Sequence, residues 1–227
     1  MEKAIWVNGN EFILVEAEEL SLDDEFLRGY IPHNHRGFEA KTLICNAIRS
    51  GVKNFYRPKC DPSFTPDGNS ICFQPGNKPA VGKSFNWWET IANEYCPERN
   101  SRLCTKLEYG AFLGVLIKKL IESGQGLFKA WESVCINSKE LGHYSNSENA
   151  KHDFELTGSR CVCGFCDLTN AYKFLTQGTE SSCFDVASGD YRDLSFGHPI
   201  ADSWEFSDIR EEDDDYGVGL IILSEVY

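Results

Sequence analysis

The sequence predicts an α+β fold, and three observations carry that expectation. Asn8-Gly9-Asn10 lies between the β-prone runs Ala4–Val7 and Glu11–Val15, which is the pattern of a tight hairpin. Thr105 and Glu108 stand three apart ahead of an apolar run. At that spacing the Thr hydroxyl accepts the Glu108 backbone N–H while the Glu carboxylate accepts the Thr105 N–H, so a helix begins there. At the end of the chain, Gly217–Ser224 is an apolar run of strand length.

Bulk properties bound the rest. With 227 residues, 41% hydrophobic and 13% aromatic, the chain can bury a substantial core, and one domain over 1–227 is expected. The net charge of −13, without a Lys/Arg cluster, speaks against nucleic acid and against anionic membranes as partners. No apolar run reaches bilayer length, and Met1–Trp6 lacks a basic region followed by an apolar core. The expectation is a soluble, cytoplasmic protein with no classical signal peptide and no membrane insertion. On that footing, most of the ten cysteines are expected as reduced core thiols rather than disulfides.

The elements follow in order. Residues 17–36 are acidic and then loop-like, with His33 and His35 read as surface polar residues rather than metal ligands. Phe38, Leu43, Ile44, Ala47 and Ile48 recur at helical spacing and Gly51 stands where a C-terminal cap belongs, giving a helix over 37–50. Five prolines between Pro58 and Pro79 make 52–82 an irregular loop, and its aromatic residues Phe55, Tyr56, Phe64 and Phe73 imply that it packs. Lys83–Cys96 reads as a short amphipathic helix, Pro97–Asn100 as a turn, and the capped helix runs on to Gly124. Phe128–Cys135 fits a short strand or a helical turn; 137–160 is a polar loop; 158–174 carries Cys161, Cys163 and Cys166 on what reads as a strand.

Within this order, Val81, Trp87 or Trp88, Ala92, Tyr95 and Cys96, then Arg102, Leu103, Thr105, Glu108 and Tyr109, resemble two successive motifs of the formylglycine-generating-enzyme (sulfatase-modifying factor) family. Gly164–Phe174 is similar to that family's Gly-Leu-x-Asp-Met-x-Gly-Asn-Val-Trp-Glu-Trp segment, and Gly217-Val-Gly-Leu-Ile-Ile222 to its closing strand. The resemblance implies a C-type-lectin-like fold, with two main helices around a small twisted antiparallel sheet and much irregular chain.

It does not carry the family's chemistry with it. Catalytic members bind copper through a Cys-x4-Cys pair just before the final strand, and no cysteine follows Cys183 here. Cys161 and Cys166 have that spacing but precede the landmark. The iron-dependent sulfoxide synthases of the same fold need His-x3-His-x-Glu, and none of the five histidines is so spaced. The resemblance therefore implies a non-catalytic member, with no catalytic residue and no committed metal or other cofactor. A copper- or iron-dependent oxidase using relocated cysteines is the alternative. Zinc at Cys161, Cys163 and Cys166, and calcium at the acidic run Glu211–Asp215, are the weaker possibilities.

Such a scaffold resembles phage receptor-binding tips and the variable proteins of diversity-generating retroelements, which present a C-terminal surface to a protein or glycan ligand. Here that surface would comprise Tyr191, Arg192, Asp193, His198, Asp202, Trp204 and Tyr216, aromatic, Arg and polar groups of the kind that dominate binding surfaces. Against this, Phe196 and Trp204 taken singly suit core positions. The resemblance makes association with a phage particle a second expectation for location, and it leaves oligomerisation open.

Overall fold

The structure is a computed structural model that describes residues 3–29, 35–135, 156–158, 161–168, 172–176, 184–187, 203–206 and 217–224. The chain opens with the expected hairpin, β1 (Ala4–Val7) and β2 (Asn10–Val15). Its two-residue turn, Asn8-Gly9, has φ of 50° and 74°, the left-handed pair that matches the twist of the flanking strands. A single-turn helix α1 (Glu25–Arg28) lies in the acidic stretch expected as loop, and α2 (His35–Arg49) follows, ending ahead of Gly51 at φ 65°.

The irregular stretch then departs from expectation. It contains β3 (Phe55–Pro58) and the short pair β4 (Ser63–Phe64) and β5 (Ile71–Cys72). All four residues of β3 are buried, so it shows no in-out alternation, and its proline is the last residue, where a missing N–H costs the ladder least. A strand buried on both faces and closed by proline reads as loop in sequence.

Helix α3 (Phe85–Tyr95) is capped by Ser84, whose side chain accepts the Trp87 N–H. The edge strand β6 (Arg102–Leu103) leads into α4 (Lys106–Glu122), and the Thr105/Glu108 box is present in both directions. Phe128–Cys135 resolves as a helix, α5 (Leu127–Cys135), because Ala130, Trp131, Val134 and Cys135 are buried on one face and Trp131 Nε1 donates to the Phe26 carbonyl at 3.1 Å.

The hairpin β7 (Cys161–Val162) and β8 (Phe165–Cys166) is followed by β9 (Tyr172–Thr176), β10 (Phe184–Ala187), β11 (Ser203–Phe206), β12 (Gly217–Gly219) and β13 (Ile221–Ser224). The expected final strand thus divides at Leu220, and its two parts join different sheets. β13 sits in an antiparallel five-stranded sheet, β1-β2-β3-β13-β6, while β12 closes a second sheet, β11-β10-β9-β12. Gly219 stands at the division because a Cβ there would lie 2.7 Å from a Trp88 ring atom and 2.9 Å from Leu103 Cδ2.

The five-stranded sheet separates two cores. Phe12, Leu14, Tyr56, Ile221 and Leu223 face one with Trp88 and Ala92 of α3; Val15, Phe55 and Ile222 face the other with Ile44 of α2, Trp131 of α5 and Phe112, Leu113 and Leu116 of α4. Alternation along β2 and β13 sends successive residues to opposite sides, so each strand contributes to both cores. The architecture is a mixed α+β one, with helices on both faces of a small antiparallel sheet.

Candidate functional site

The strands that carry the expected recognition tract are set by register. β9 and β10 pair antiparallel with Lys173 opposite Ala187, β10 and β11 antiparallel with Ala187 opposite Ser203, and β12 lies parallel to β9 with Gly217 opposite Tyr172. Ala187 and Ser203 are therefore level with Lys173, and Gly217 lies one residue beyond them, so all three stand at one end of this sheet. Trp204 lies on β11 opposite Val186. The remaining candidates, Tyr191, Arg192, Asp193, His198, Asp202 and Tyr216, lie outside the described residues, as do Phe196 and the acidic run 211–215. So do His33 and, of the loop expected over 137–160, residues 137–155 and 159–160.

Segment 161–168 corrects the sequence reading. It is a hairpin rather than one strand, because Cys163 and Gly164 both take positive φ, 53° and 90°, and turn the chain between Val162 and Phe165. Cys161 and Cys166, expected on opposite faces of a strand, become cross-strand partners and form a disulfide. The sequence left the state of this pair open, while Cys60, Cys104 and Cys135 are buried free thiols, as expected for most of the ten cysteines. The bond also takes up both thiols of the Cys-x4-Cys spacing that relocated copper chemistry would use, and two of the three that zinc on this segment would use. Among the described residues, no group of three or more His, Cys, Asp or Glu is placed to hold a metal ion.

Beneath the hairpin lies a buried charge cluster. Asp167, itself at φ 55°, accepts the Gly158 N–H at 2.8 and 2.9 Å through its two oxygens and the Asp61 N–H at 2.9 Å. The Arg57 guanidinium lies nearby, stacked over the rings of Phe112 at 4.3 Å and Phe165 at 5.5 Å. Burial lowers its pKa, against the raising influence of Asp61, Tyr109, Cys104 and Asp167, and its Nε and Nη1 make no hydrogen bond. Burial, reinforced by Asp167 and Asp61, pushes the Cys60 thiol up to about 12, so it stays protonated and poorly nucleophilic.

Above the hairpin the surface opens into a cleft of about 410 Å³. Trp6 pairs across the first hairpin with Glu11, and the Lys59 N–H donates to the Glu11 carbonyl at 3.0 Å, extending the ladder one residue past β3. Trp6, Glu11 and Lys59 therefore form one row on one face. The Lys59 ammonium donates to the Glu11 carboxylate at 2.8 Å, which holds the Lys59 pKa above its usual value. Gln74, Pro75 and the Cys161–Cys166 disulfide complete the cleft, and the disulfide arm is anchored by the Cys166 N–H donating to the Lys59 carbonyl at 2.8 Å. Neither Trp6 nor Arg57 is marked as functional by the sequence. The available signal for Trp6 is alternation about Asn8-Gly9, which turns Ile5 and Val7 inward and Trp6 outward.

The motifs that support the family resemblance occupy the frame rather than the cleft. Trp88 and Ala92 are fully buried, and Arg102 makes a two-pronged ion pair with Glu108, one arm at 2.8 Å, which raises the arginine's pKa. No helix among the described residues is long and apolar enough to cross a membrane. The chain matches no family model and no curated protein sequence.

Proposed function

We propose that the chain is a non-catalytic binding module on a C-type-lectin-like frame, related to the formylglycine-generating enzymes, that presents Tyr191, Arg192, Asp193, His198, Asp202, Trp204 and Tyr216 to a protein or glycan. The observation that supports it most is the register of the second sheet. The connection 188–202 leaves β10 and enters β11 at the end where β12 begins, and Tyr216 immediately precedes β12, so six of the seven residues belong to chain attached at one end of one sheet. A rigid ladder carrying variable chain at one end is the usual way a scaffold displays recognition residues. The resemblance to retroelement variable proteins and phage receptor-binding tips points to the same use.

The test compares the parent protein with a variant carrying Tyr191→Ser, Arg192→Ser and Tyr216→Ser on a glycan array and against a displayed peptide library. The reading expects at least one ligand retained by the parent and lost by the variant at unchanged melting temperature. Binding that survives the triple change, or no binding by the parent, would overturn it. Copper or iron in stoichiometric amount after anaerobic purification, lost on Cys161→Ser, would favour the oxidase alternative instead.

A further inference from the structure

Trp6 is 70% exposed, whereas Trp88 and Trp131 are fully buried. An indole carries large apolar area, and leaving most of it in water forgoes the gain that its burial would bring. It stands at the rim of the cleft already described, beside a bonded Glu11–Lys59 pair whose side chains remain 27% and 38% exposed. That pair is formally neutral, which disfavours an ionic ligand, yet it is rich in unused hydrogen-bonding capacity. Their mutual bond uses one of the three ammonium donors and one of the carboxylate's several acceptor sites. Gln74 adds to it: its Nε2 donates to the Gly9 carbonyl at 2.8 Å and to Asn10 Oδ1 at 3.0 Å, which leaves Oε1 as the end able to accept from a ligand.

We propose that this cleft binds a neutral sugar, with the apolar face of a pyranose ring stacked on the Trp6 indole and its hydroxyls bonded to Glu11, Lys59 and Gln74. A pyranose is the ligand class with a flat C–H face on one side and alternating donors and acceptors around its edge. The cleft, at about 410 Å³, falls in the range that small-ligand sites occupy and holds one or two such rings. The backbone that carries the site is tied down before binding, since a β-ladder joins the chain at Trp6, Glu11 and Lys59 and a disulfide closes the facing wall. It shares no residue with the tract 189–216 and stands or falls independently of that reading.

The experiment is saturation-transfer NMR on the full chain with methyl glucoside, methyl galactoside, methyl mannoside and N-acetylglucosamine, each at about 10 mM, a concentration suited to millimolar affinity. The expected result is transfer to the ring C–H protons of at least one sugar. Trp6→Ala should weaken its binding about tenfold or more, Trp6→Tyr should retain most of it, and Glu11→Gln should weaken it several-fold. Trp6 is exposed, so the melting temperature of Trp6→Ala should match the parent. No transfer from any of the four sugars would overturn the proposal. So would unchanged binding by Trp6→Ala, or competition by tetramethylammonium, which would mark the indole as a cation site.

Discussion

The Arg57 guanidinium carbon lies 4.3 Å above the centre of the Phe112 ring, inside a cluster that also holds the Asp61 and Asp167 carboxylates. Removing this cation while leaving the carboxylates should cost more than the lost stacking alone, because an uncompensated buried charge typically costs 3–5 kcal/mol. Arg57→Met is therefore expected to lower the unfolding free energy by about 3 kcal/mol in urea. The double variant Arg57→Met, Asp61→Asn should recover part of that loss. A single variant as stable as the parent would show that the carboxylates do not depend on the guanidinium.

Arg57 also marks where the sequence was opaque. Elements governed by local chemistry were legible: the Asn8-Gly9 turn, the Thr105/Glu108 box and the cap at Gly51 all fall where residue types dictate. β3 was not legible, because its neighbours across the sheet, Phe12–Val15 and Leu223–Ser224, are far away in the chain and burial on both faces erases alternation. The Cys161–Cys166 pairing was hidden for a related reason, since a Cys-Gly turn is a weaker hairpin signal than Asn-Gly. The cleft is still less visible, being assembled from a hairpin, a strand end and a disulfide loop. Of the expected recognition residues, Trp204 alone is reached by the described chain, as one position on a strand.

The cap on α4 permits a local test. Thr105 accepts the Glu108 N–H at 3.2 Å while Glu108 accepts the Thr105 N–H at 2.8 Å, and Glu108 also holds Arg102. Thr105→Ala removes one half of the box and should cost about 1–2 kcal/mol, whereas Thr105→Ser keeps the hydroxyl and should cost little. Urea midpoints of the two variants measured side by side decide the matter; equal midpoints would mean the box contributes nothing.

Gly110, in the middle of α4, sets two magnitudes against each other. In an exposed helix Gly→Ala gains up to about 1 kcal/mol from propensity. Here a Cβ would lie 2.6 Å from Leu43 Cγ and 2.9 Å from the Leu43 backbone oxygen of α2, and the backbone oxygen cannot swing aside as a side chain would. Overpacking of this kind costs about 1–3 kcal/mol, so Gly110→Ala should be destabilising on balance. Thermal unfolding provides the check, with Gly126→Ala, where a Cβ meets nothing within 4 Å, as the control expected to stay near the parent.

Stability should decline on the alkaline side, and the buried thiols give the sign. Burial pushes Cys135 up to about 12, Cys60 likewise with help from Asp167 and Asp61, and the Tyr95 hydroxyl also to about 12 through burial, against ordinary values of 9 for cysteine and 10 for tyrosine. A folded pKa above the unfolded one means that the unfolded chain releases a proton the folded chain keeps. The stabilising contribution is therefore complete below pH 9 and is lost as the pH climbs towards 12. In that window each thiol removes about 1.4 kcal/mol per pH unit, and tyrosine joins one unit later. Urea midpoints should thus be flat from neutrality to about pH 9 and fall steeply beyond it, and Cys135→Ala should show a shallower fall than the parent because one titrating thiol is gone. Midpoints that hold level between pH 9 and 11 would mean these groups ionise in the folded protein as readily as in the unfolded chain.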